Sequence, residues 1–272
     1  MHEIFSCIIL SIKEECMLGY LIEKVGERKA YEILSYYLDK PISEIRYKTN
    51  FCISKSKVDD ILQHISEGKP LNKIFGYEYF YGEKFFIDEN VLAPRCDTEC
   101  VVECVLRNIK AGDSVLDLCT GSGCIGIMLA KNVDINLTMS DYSDKALNIA
   151  NKNLQYHKIT AKLVKSNMFD DLSEKYDLIV SNPPYIETES IKTLDVSVRE
   201  FDPLMALDGG VDGLDFYRII CDEFENYLKP NGVLVLEIGY NQAKAICELF
   251  SRFDVKIYKD YGGHDRVAVI RR

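Results

Sequence analysis

The chain has 272 residues, of which 47% are hydrophobic, and its formal net charge is −10. This length allows one α/β domain with a smaller second domain, and the mixed charge and frequent aromatic residues argue against general disorder. The acidic balance, without a basic cluster, argues against a protein that wraps nucleic acid, because such proteins usually carry a basic face.

The N-terminal residues lack the pattern of a signal peptide, which predicts a cytoplasmic protein whose ten cysteines are reduced. The apolar run Ile4–Ile12 is interrupted by Ser6, Cys7 and Ser11, and it is too short to span a bilayer. We interpret it as one face of a buried helix. We therefore expect no membrane partner.

Residues 1–74 have the pattern of a small helical domain. Apolar residues in the stretch Tyr20–Leu38 recur at spacings of three and four, which predicts a helix that Pro41 ends. Another short helix is predicted from Ser56 or Lys57 to Ile65. No reactive set of side chains falls in this segment, so we expect a helical bundle that helps to hold a large substrate.

Residues 75–95 are dense in β-forming side chains, and Gly76 and Gly82 break the run. This pattern predicts a β-hairpin, which we expect to link the helical segment to the rest of the chain.

From about residue 97 onward, predicted strands alternate with predicted helices such as 144–156 and 214–228. This alternation is typical of a parallel, doubly wound sheet, in which ligands bind beyond the carboxyl ends of the strands. The predicted strands are Ser114–Leu118, Asn136–Ser140, Lys162–Lys165, Asp177–Ser181, Val233–Ile238 and Val267–Ile270.

Three cysteines, Cys96, Cys100 and Cys104, are spaced by four residues and would lie along one face of a helix. Zinc sites usually take ligands from a tight turn and need a fourth ligand, and no histidine lies nearby in the sequence. We therefore expect small core residues and no metal site, since free cysteine is often buried.

The first predicted strand of this region runs into a glycine-rich turn with G-x-G-x-x-G spacing. Because glycine lacks a Cβ, such a turn between a strand and a helix lets the backbone approach a ligand closely. The turn fits a dinucleotide equally well, whereas a P-loop is excluded because no G-K-[ST] follows. The candidate cofactor residues here are Asp117, Thr120, Gly121, Ser122 and Gly123.

Two further strand ends carry residues that suit an adenosine. Asp141, 18 residues after Gly123, can accept hydrogen bonds from both ribose hydroxyls, although a lone aspartate there could instead cap a turn or helix. Asn167 can pair with an adenine edge. Met168 or Phe169 can pack on the adenine ring, although apolar residues at strand ends are usually core.

The fourth predicted strand of this region ends in Asn182-Pro183-Pro184-Tyr185. The prolines fix the backbone and leave carbonyl groups without local N–H donors. The Asn182 amide oxygen and the Pro183 carbonyl can then accept both hydrogens of a planar –NH2 group, with Tyr185 as a flat surface against it. Such bonds favour a pyramidal nitrogen and stabilise the transition state for its methylation. The structural alternative is a rigid Pro-Pro turn.

The Asn-Pro-Pro-Tyr sequence resembles the amino-methyltransferase motif of class I methyltransferases. Most of the chain resembles one family among them, the peptide chain release factor N5-glutamine methyltransferases. The segments that carry the resemblance are Leu92–Glu99, Val115–Ile127, Ser166–Phe169, Ile179–Ile186, Phe201–Leu207, Gly209–Arg218, Leu236–Gly239 and Lys259–Arg266.

The resemblance implies an α/β fold with a Rossmann-like class I methyltransferase sheet of seven strands, a small helical N-terminal domain and a β-hairpin linker. The bounds are then 1–74 for the helical domain, 75–95 for the linker and 96–272 for the methyltransferase domain. It also implies S-adenosyl-L-methionine as the methyl donor. The implied acceptor and partner is the glutamine of the Gly-Gly-Gln loop in class 1 release factors, with no direct nucleic-acid partner.

The resemblance also implies roles for individual residues. Gly121 and Gly123 line the methionine part of the cofactor, Asp141 takes the ribose, Met168 or its neighbours flank the adenine, and Asn182–Tyr185 grip the glutamine. Three residues depart from the family pattern. Cys119 replaces the usual first loop glycine, Asn167 stands where aspartate is common, and Met168 stands where an aromatic residue is sometimes found.

Three other functions stay open. A methyltransferase for exocyclic amines of nucleic acids can use the same motif, but the acidic charge argues against it. A non-catalytic adaptor is disfavoured by the intact Asn182–Tyr185 motif. A glutamine methyltransferase that acts on a ribosomal protein fits the same motifs. Only the resemblance over the whole chain favours the release factor family over it.

Overall fold

The computed structural model describes residues 18–46 and 53–272, so the apolar run Ile4–Ile12 lies outside the described residues. The chain divides into two compact units, with the boundary after Gly76 and the second unit at Tyr77–Arg272. In the described part of the chain, no helix has the length and apolar character needed to cross a membrane.

The described part of the first unit is helical. Its elements are α1 (residues 18–25), α2 (Glu27–Leu38), α3 (Ile42–Ile45), α4 (Lys55–Ser66) and α5 (Leu71–Phe75). Apolar side chains from α1, α2 and α4, among them Leu21, Ile33, Leu34, Val58 and Ile61, form its core.

The single helix predicted over Tyr20–Leu38 is wrong, because the backbone turns at Gly26 between α1 and α2. Gly26 has a φ of 80°, a conformation that glycine adopts without a steric penalty. The helix predicted from Ser56 or Lys57 is confirmed as α4. It begins slightly earlier because the Ser54 hydroxyl accepts a hydrogen bond from the Lys57 N–H and caps the helix.

The second unit begins with the predicted hairpin, in which β1 (Tyr77–Phe80) pairs antiparallel with β2 (Glu83–Phe86). Tyr81 and Gly82 form its two-residue turn, and both have positive φ angles. No helix or strand follows until α6 (Cys96–Leu106).

A seven-stranded sheet forms the centre of the second unit, in the order β5-β4-β3-β6-β7-β9-β8. This architecture confirms the predicted α/β fold. Its strands are β3 (Ser114–Leu118), β4 (Asn136–Asp141), β5 (Lys162–Lys165), β6 (Tyr176–Ser181), β7 (Leu228–Glu237), β8 (Asp254–Lys259) and β9 (Asp265–Arg271).

The prediction of a parallel sheet is wrong at one edge. Strands β5, β4, β3, β6 and β7 are parallel, whereas β9 runs antiparallel to both β7 and β8. From the central strand β3 the chain first adds β4 and β5 on one side and then β6 on the other. The order therefore reverses between β3 and β6, where an open α/β sheet forms its ligand crevice.

Two helical layers cover the sheet because successive strand residues point to opposite faces. Val115 contributes to the core beneath α6, α7 (Cys124–Asn132) and α8 (Asp144–His157). The short helix α9 (Val196–Arg199) follows β6 in the chain. Leu116 contributes to the core beneath the later helices α10 (Asp215–Tyr227) and α11 (Ala243–Leu249). The crevice between β3 and β6 thus lies between two packed layers.

The three evenly spaced cysteines lie on α6. Cys100 and Cys104 are buried, as expected, but the core prediction is wrong for Cys96, which is exposed at the start of the helix. Over residues 18–46 and 53–272, no group of three or more histidine, cysteine, aspartate or glutamate side chains is arranged to hold a metal ion.

One buried amide ties the hairpin to the rest of the second unit. Asn153 on α8 is fully buried, and its Nδ2 donates to the carbonyl of Phe86 at 2.9 Å and to that of Ser122 at 2.8 Å. Its Oδ1 accepts from the Phe86 N–H at 2.7 Å. The side chain thereby joins β2, α8 and the glycine-rich turn.

We expect Asn153→Ala to lower the free energy of unfolding by about 3 kcal/mol, because buried backbone groups of Phe86 and Ser122 lose their partner. Urea unfolding measures the change. Asn151→Ala is the matched control, since Asn151 is exposed on the same helix. Equal unfolding midpoints for the two variants would contradict a stabilising role for the Asn153 hydrogen bonds.

Candidate active site

A cavity of about 490 Å³ opens at the carboxyl ends of β3, β4 and β6, where the strand order reverses. Eight of the candidate cofactor and acceptor residues from the sequence line it. These are Thr120, Gly121, Ser122, Asp141, Asn167, Met168, Asn182 and Pro184. The structure therefore brings the glycine-rich turn, two further strand ends and the proline turn to one cavity.

The glycines of the turn have different roles. A Cβ built on Gly121 meets nothing within 4 Å, so this residue leaves the cavity wall open to a ligand. Gly123 does not line the cavity. With a φ of 83°, its Cβ would lie 2.6 Å from Cε of Met139, so glycine there serves the packing of the turn on β4. A Cβ on Gly126 would come within 2.9 Å of Oδ2 of Asp117.

Asp117 lies behind the turn and does not line the cavity. Its Oδ2 accepts from the Thr120 hydroxyl at 2.6 Å and from the Gly126 N–H at 3.0 Å. Burial raises the pKa of Asp117 to about 7 against these hydrogen bonds, and the nearby Asp141 carboxylate raises the pKa further. Asp117 shapes the turn.

Asp141 ends β4 and lines the cavity. One carboxylate oxygen accepts from the Gly121 N–H at 2.9 Å and the other accepts from the Ser143 N–H at 2.9 Å. Each oxygen keeps a lone pair for a ligand donor. Burial raises the pKa of Asp141, while hydrogen bonds from Ser143, Gly121 and Tyr142 lower it. The carboxylate thus both organises the turn and faces the cavity.

Three sulfur or aromatic side chains follow β3 and β5. Cys119 and Met168 both line the cavity with positive φ angles, and their sulfur atoms are 3.8 Å apart. The alternative expectation for Phe169 is wrong, because this ring is fully buried and stacks on Tyr227 in the core. Asn167 lies at the cavity but is exposed, and its side-chain amide donates to Asp170.

The Asn182–Tyr185 segment follows β6 at the same cavity. Asn182 and Pro184 line the cavity, whereas Pro183 does not. Tyr185 does not line the cavity. Its hydroxyl donates to Oε1 of Glu237 at 3.3 Å, and burial raises its pKa well above the ordinary value. The structure therefore places Tyr185 against β7, away from the position expected from the sequence.

The glycine-rich segment 207–213 supports this motif from behind. The Ile186 N–H donates to the Leu207 carbonyl at 2.9 Å, and the Gly209 N–H donates to the Ile186 carbonyl at 2.8 Å. A Cβ on Gly209 would lie 2.7 Å from Cα of Tyr185, and one on Gly213 would lie 2.4 Å from the Tyr185 carbonyl oxygen. Only glycines allow the two segments to approach this closely.

Pattern reasoning missed Arg95, the only lysine, arginine or histidine in the described residues that lines the cavity. Its guanidinium lies 2.8 Å from a carboxylate oxygen of Asp202, whose side chain is almost fully buried. The two residues belong to separate segments of the family resemblance. The only sequence signal for their pairing was therefore the presence of both segments.

Comparison with known proteins agrees with this geometry. The family described as "Methyltransferase small domain" matches residues 96–199. The release factor glutamine methyltransferase of Streptococcus pneumoniae is 41% identical over 222 residues, which cover 79% of this chain and 80% of that protein. The protein of the same name from Thermodesulfovibrio yellowstonii is 37% identical over 259 residues, covering 90% of this chain and 92% of its own length.

Among solved structures, the ribosomal protein L11 methylase of Lactobacillus delbrueckii subsp. bulgaricus matches with a TM-score of 0.52 and 19% identity. The match covers 72% of this chain and 88% of that chain. At this level of identity the likeness concerns the fold alone.

We expect Asp117→Asn to change how stability depends on pH. The raised pKa means that the folded state holds the proton more tightly, so the contribution of Asp117 to stability is lost as pH rises from about 4 to about 7. Asparagine cannot titrate but keeps an acceptor for Thr120 and Gly126. Relative to the unsubstituted chain, the variant should therefore gain stability over this range, at up to about 1.4 kcal/mol per pH unit.

Urea unfolding at pH 4, 5.5 and 7 measures this difference. Asp144→Asn serves as the control, since the Asp144 side chain is exposed at the start of α8. If the free energy of unfolding changed with pH in the same way for the Asp117→Asn variant and the unsubstituted chain, the raised pKa of Asp117 would be ruled out.

Proposed function

The chain belongs to the release factor glutamine methyltransferase family, and we propose that it transfers a methyl group from S-adenosyl-L-methionine to a glutamine side-chain amide nitrogen in class 1 release factors. The target is the glutamine of their Gly-Gly-Gln loop. One observation carries the proposal: Asn182 and the proline turn stand at the same cavity as Gly121 and Asp141. A site for a nucleoside cofactor and a site for a planar amide are thereby adjacent.

The cavity suits S-adenosyl-L-methionine in size and chemistry. Its volume of about 490 Å³ lies in the usual range for small-molecule sites. The backbone at Gly121 leaves room for close approach, Asp141 keeps lone pairs for ribose hydroxyls, and Met168 offers an apolar surface for adenine. When bound, the cofactor supplies a methyl group activated by a positively charged sulfur.

The residues of the chain would act mainly by orientation. An amide nitrogen is a poor nucleophile because its lone pair is delocalised into the carbonyl. In the proposed mechanism, the Asn182 side-chain oxygen and the Pro183 carbonyl accept hydrogen bonds from its two N–H groups. These bonds improve as the nitrogen becomes tetrahedral, so they lower the barrier, and fixed alignment lowers it further. After the methyl group is transferred, the positively charged nitrogen releases one proton to solvent water, so no strong base is needed beforehand.

We propose that the helical segment 1–74 contributes to docking of the release factor and that 75–95 links it to the methyltransferase domain 96–272. Amphipathic helices α2 and α4 without a reactive cluster support a binding role. Because release factors act on cytoplasmic ribosomes, we also place the enzyme in the cytoplasm.

The decisive experiment is transfer of labelled methyl from S-adenosyl-L-methionine to a purified release factor, with a Gln→Ala substitution in its Gly-Gly-Gln loop as the acceptor control. We expect label only on the glutamine form. Asn182→Ala should lower kcat by about 10²–10³, as loss of one transition-state hydrogen bond does elsewhere. Asn182→Asp, which keeps an acceptor oxygen, should retain part of the activity.

A measurement of cofactor binding distinguishes the residues that hold the cofactor from those that hold the acceptor. By calorimetric titration with S-adenosylhomocysteine, Asn182→Ala should bind nearly as tightly as the unsubstituted chain. Asp141→Ala should bind about 10–100-fold more weakly, since a hydrogen bond to a charged group contributes roughly 1.5–3 kcal/mol. Full turnover by Asn182→Ala would refute the proposed hydrogen bonding of the acceptor amide by Asn182. Label on the release factor with the Gln→Ala substitution would refute the proposed target.

The docking role predicts a specific kinetic change. A chain that begins at Tyr77 should still bind S-adenosylhomocysteine, because its compact unit retains the whole cavity. It should require at least about tenfold more release factor for half-maximal rate, as expected when interface contacts worth about 1.4 kcal/mol are lost. An unchanged KM for the release factor, with cofactor binding intact, would exclude a docking role for the removed segment.

A further inference from the structure

A buried carboxylate stands behind the proline turn, outside the cavity. Glu237 is the last residue of β7 and is only 2% exposed. Its Oε1 accepts the hydrogen bond from the Tyr185 hydroxyl at 3.3 Å. Within the described residues, its Oε2 has no hydrogen-bond partner. Burying a carboxylate oxygen without a hydrogen-bond partner is costly, so the position of Glu237 requires an explanation.

Tyr185 is held at its backbone end by a second residue from the same part of the chain. Nε2 of Gln242 donates to the Tyr185 carbonyl at 3.0 Å and to the Gly213 carbonyl at 3.1 Å. Oε1 of Gln242 accepts from the Gly239 N–H at 2.8 Å. Glu237 and Gln242 therefore hold the two ends of Tyr185, the last residue of the acceptor motif.

This support matters because 182–185 has no helix or strand of its own. The direction of the Asn182 side chain and of the Pro183 carbonyl depends on contacts made by the rest of the turn. Misplacement of an orienting group by about 1 Å can cost about 10²-fold in rate. A group that fixes the last residue of the turn can thus affect chemistry without touching the substrate.

Charged and titratable groups surround Glu237 on several sides. Burial raises the pKa of the Glu237 carboxyl to about 7, Asp97 on α6 also raises it, and the Thr98 hydroxyl, Arg266 and Tyr185 lower it. Arg266 on β9 is itself held by Asp260 at 3.2 Å and Asp97 at 3.5 Å. Among the residues that the structure describes, Cys100 on α6, Cys124 on α7 and Tyr217 on α10 also interact electrostatically with Glu237.

We propose that Glu237 is a positioning residue for methyl transfer, which acts through the Tyr185 hydroxyl to fix the turn that presents Asn182 and Pro183 to the acceptor amide. This inference rests on the proposed function of the same turn. The alternative is that Glu237 only stabilises the end of β7. The two differ in what they predict for Tyr185, since a purely structural role does not pass through its hydroxyl.

The first test is a double-mutant cycle in the full chain, with the release factor as acceptor. We expect Glu237→Ala and Tyr185→Phe each to lower kcat by roughly 10–100-fold, with the dissociation constant for S-adenosylhomocysteine within about twofold of the original. The double variant should be no slower than the worse single variant, because both remove one contact. Tyr240→Phe, at an exposed tyrosine, is the matched control.

Glu237→Gln provides the second test and covers the case in which Glu237→Ala fails to fold. Glutamine keeps an oxygen for the Tyr185 hydroxyl but cannot ionise. An ionised carboxylate accepts a stronger hydrogen bond, so kcat of the unsubstituted enzyme should rise as pH passes through about 7. The Glu237→Gln variant should keep at least about a third of kcat at pH 6 and lack this rise.

A spectroscopic measurement is independent of the acceptor. The side-chain ¹⁵N–¹H amide signal of Asn182, assigned through Asn182→Ala, should shift in Glu237→Gln and in Tyr185→Phe. Additive losses in the cycle, or an Asn182 signal unmoved by both substitutions, would overturn the positioning role. Failure of the unsubstituted enzyme to methylate a release factor would refute the proposed function, whereas the Asn182 signal would still decide the role of Glu237.

Discussion

Leu118 and Ser181 lie opposite each other in the parallel pair β3 and β6, and the Ser181 hydroxyl donates to the Leu118 carbonyl at 2.7 Å. Both residues are buried, so this contact fixes the ends of the two strands at the same level. The glycine-rich turn begins directly after one strand, and the proline turn begins directly after the other. The register between β3 and β6 therefore sets the two turns side by side, so that a cofactor bound at one turn would lie next to an acceptor bound at the other.

Each turn has a buried carboxylate behind it. Asp117 accepts from Thr120 and Gly126 of the first turn, and Glu237 accepts from Tyr185 of the second. Burial raises the pKa of both carboxyls to about 7. Both have an oxygen that lacks a hydrogen-bond partner in the described chain. Burying the Asp117 and Glu237 carboxyl groups costs free energy of folding. Buried polar networks of this kind are typical where the geometry of a functional loop must be fixed.

Most of the strands that the sequence predicted, such as β3, β6 and β9, are buried, and apolar residues on both of their faces give a continuous apolar run. The exposed edge strand β5 was predicted as well. The pattern missed β8, an edge strand in which half-buried residues alternate with exposed ones. The helix over Tyr20–Leu38 was predicted as one because apolar spacing continues past Gly26, whereas the break depends on backbone conformation. The spacing of apolar residues therefore predicts which residues are buried better than it predicts where the backbone turns.

The candidate site shows the same limit at the level of single residues. Asp141 and Asn182 were predictable because each lies at the carboxyl end of a recognisable strand. The partners of Tyr185 were not, since Glu237 and Gln242 lie 52 and 57 residues further along the chain. Gly209 and Gly213, which approach its backbone closely, are also well separated from it in sequence, at 24 and 28 residues further along. Both halves of the site depend on tertiary contacts, since Gly121 and Asp141 of the cofactor half are 20 residues apart. The difference is that each cofactor residue stands in a recognisable motif at a strand end, whereas the partners that fix Tyr185 do not. Substitutions far from the proline turn can therefore alter the presentation of the acceptor without changing the cofactor site.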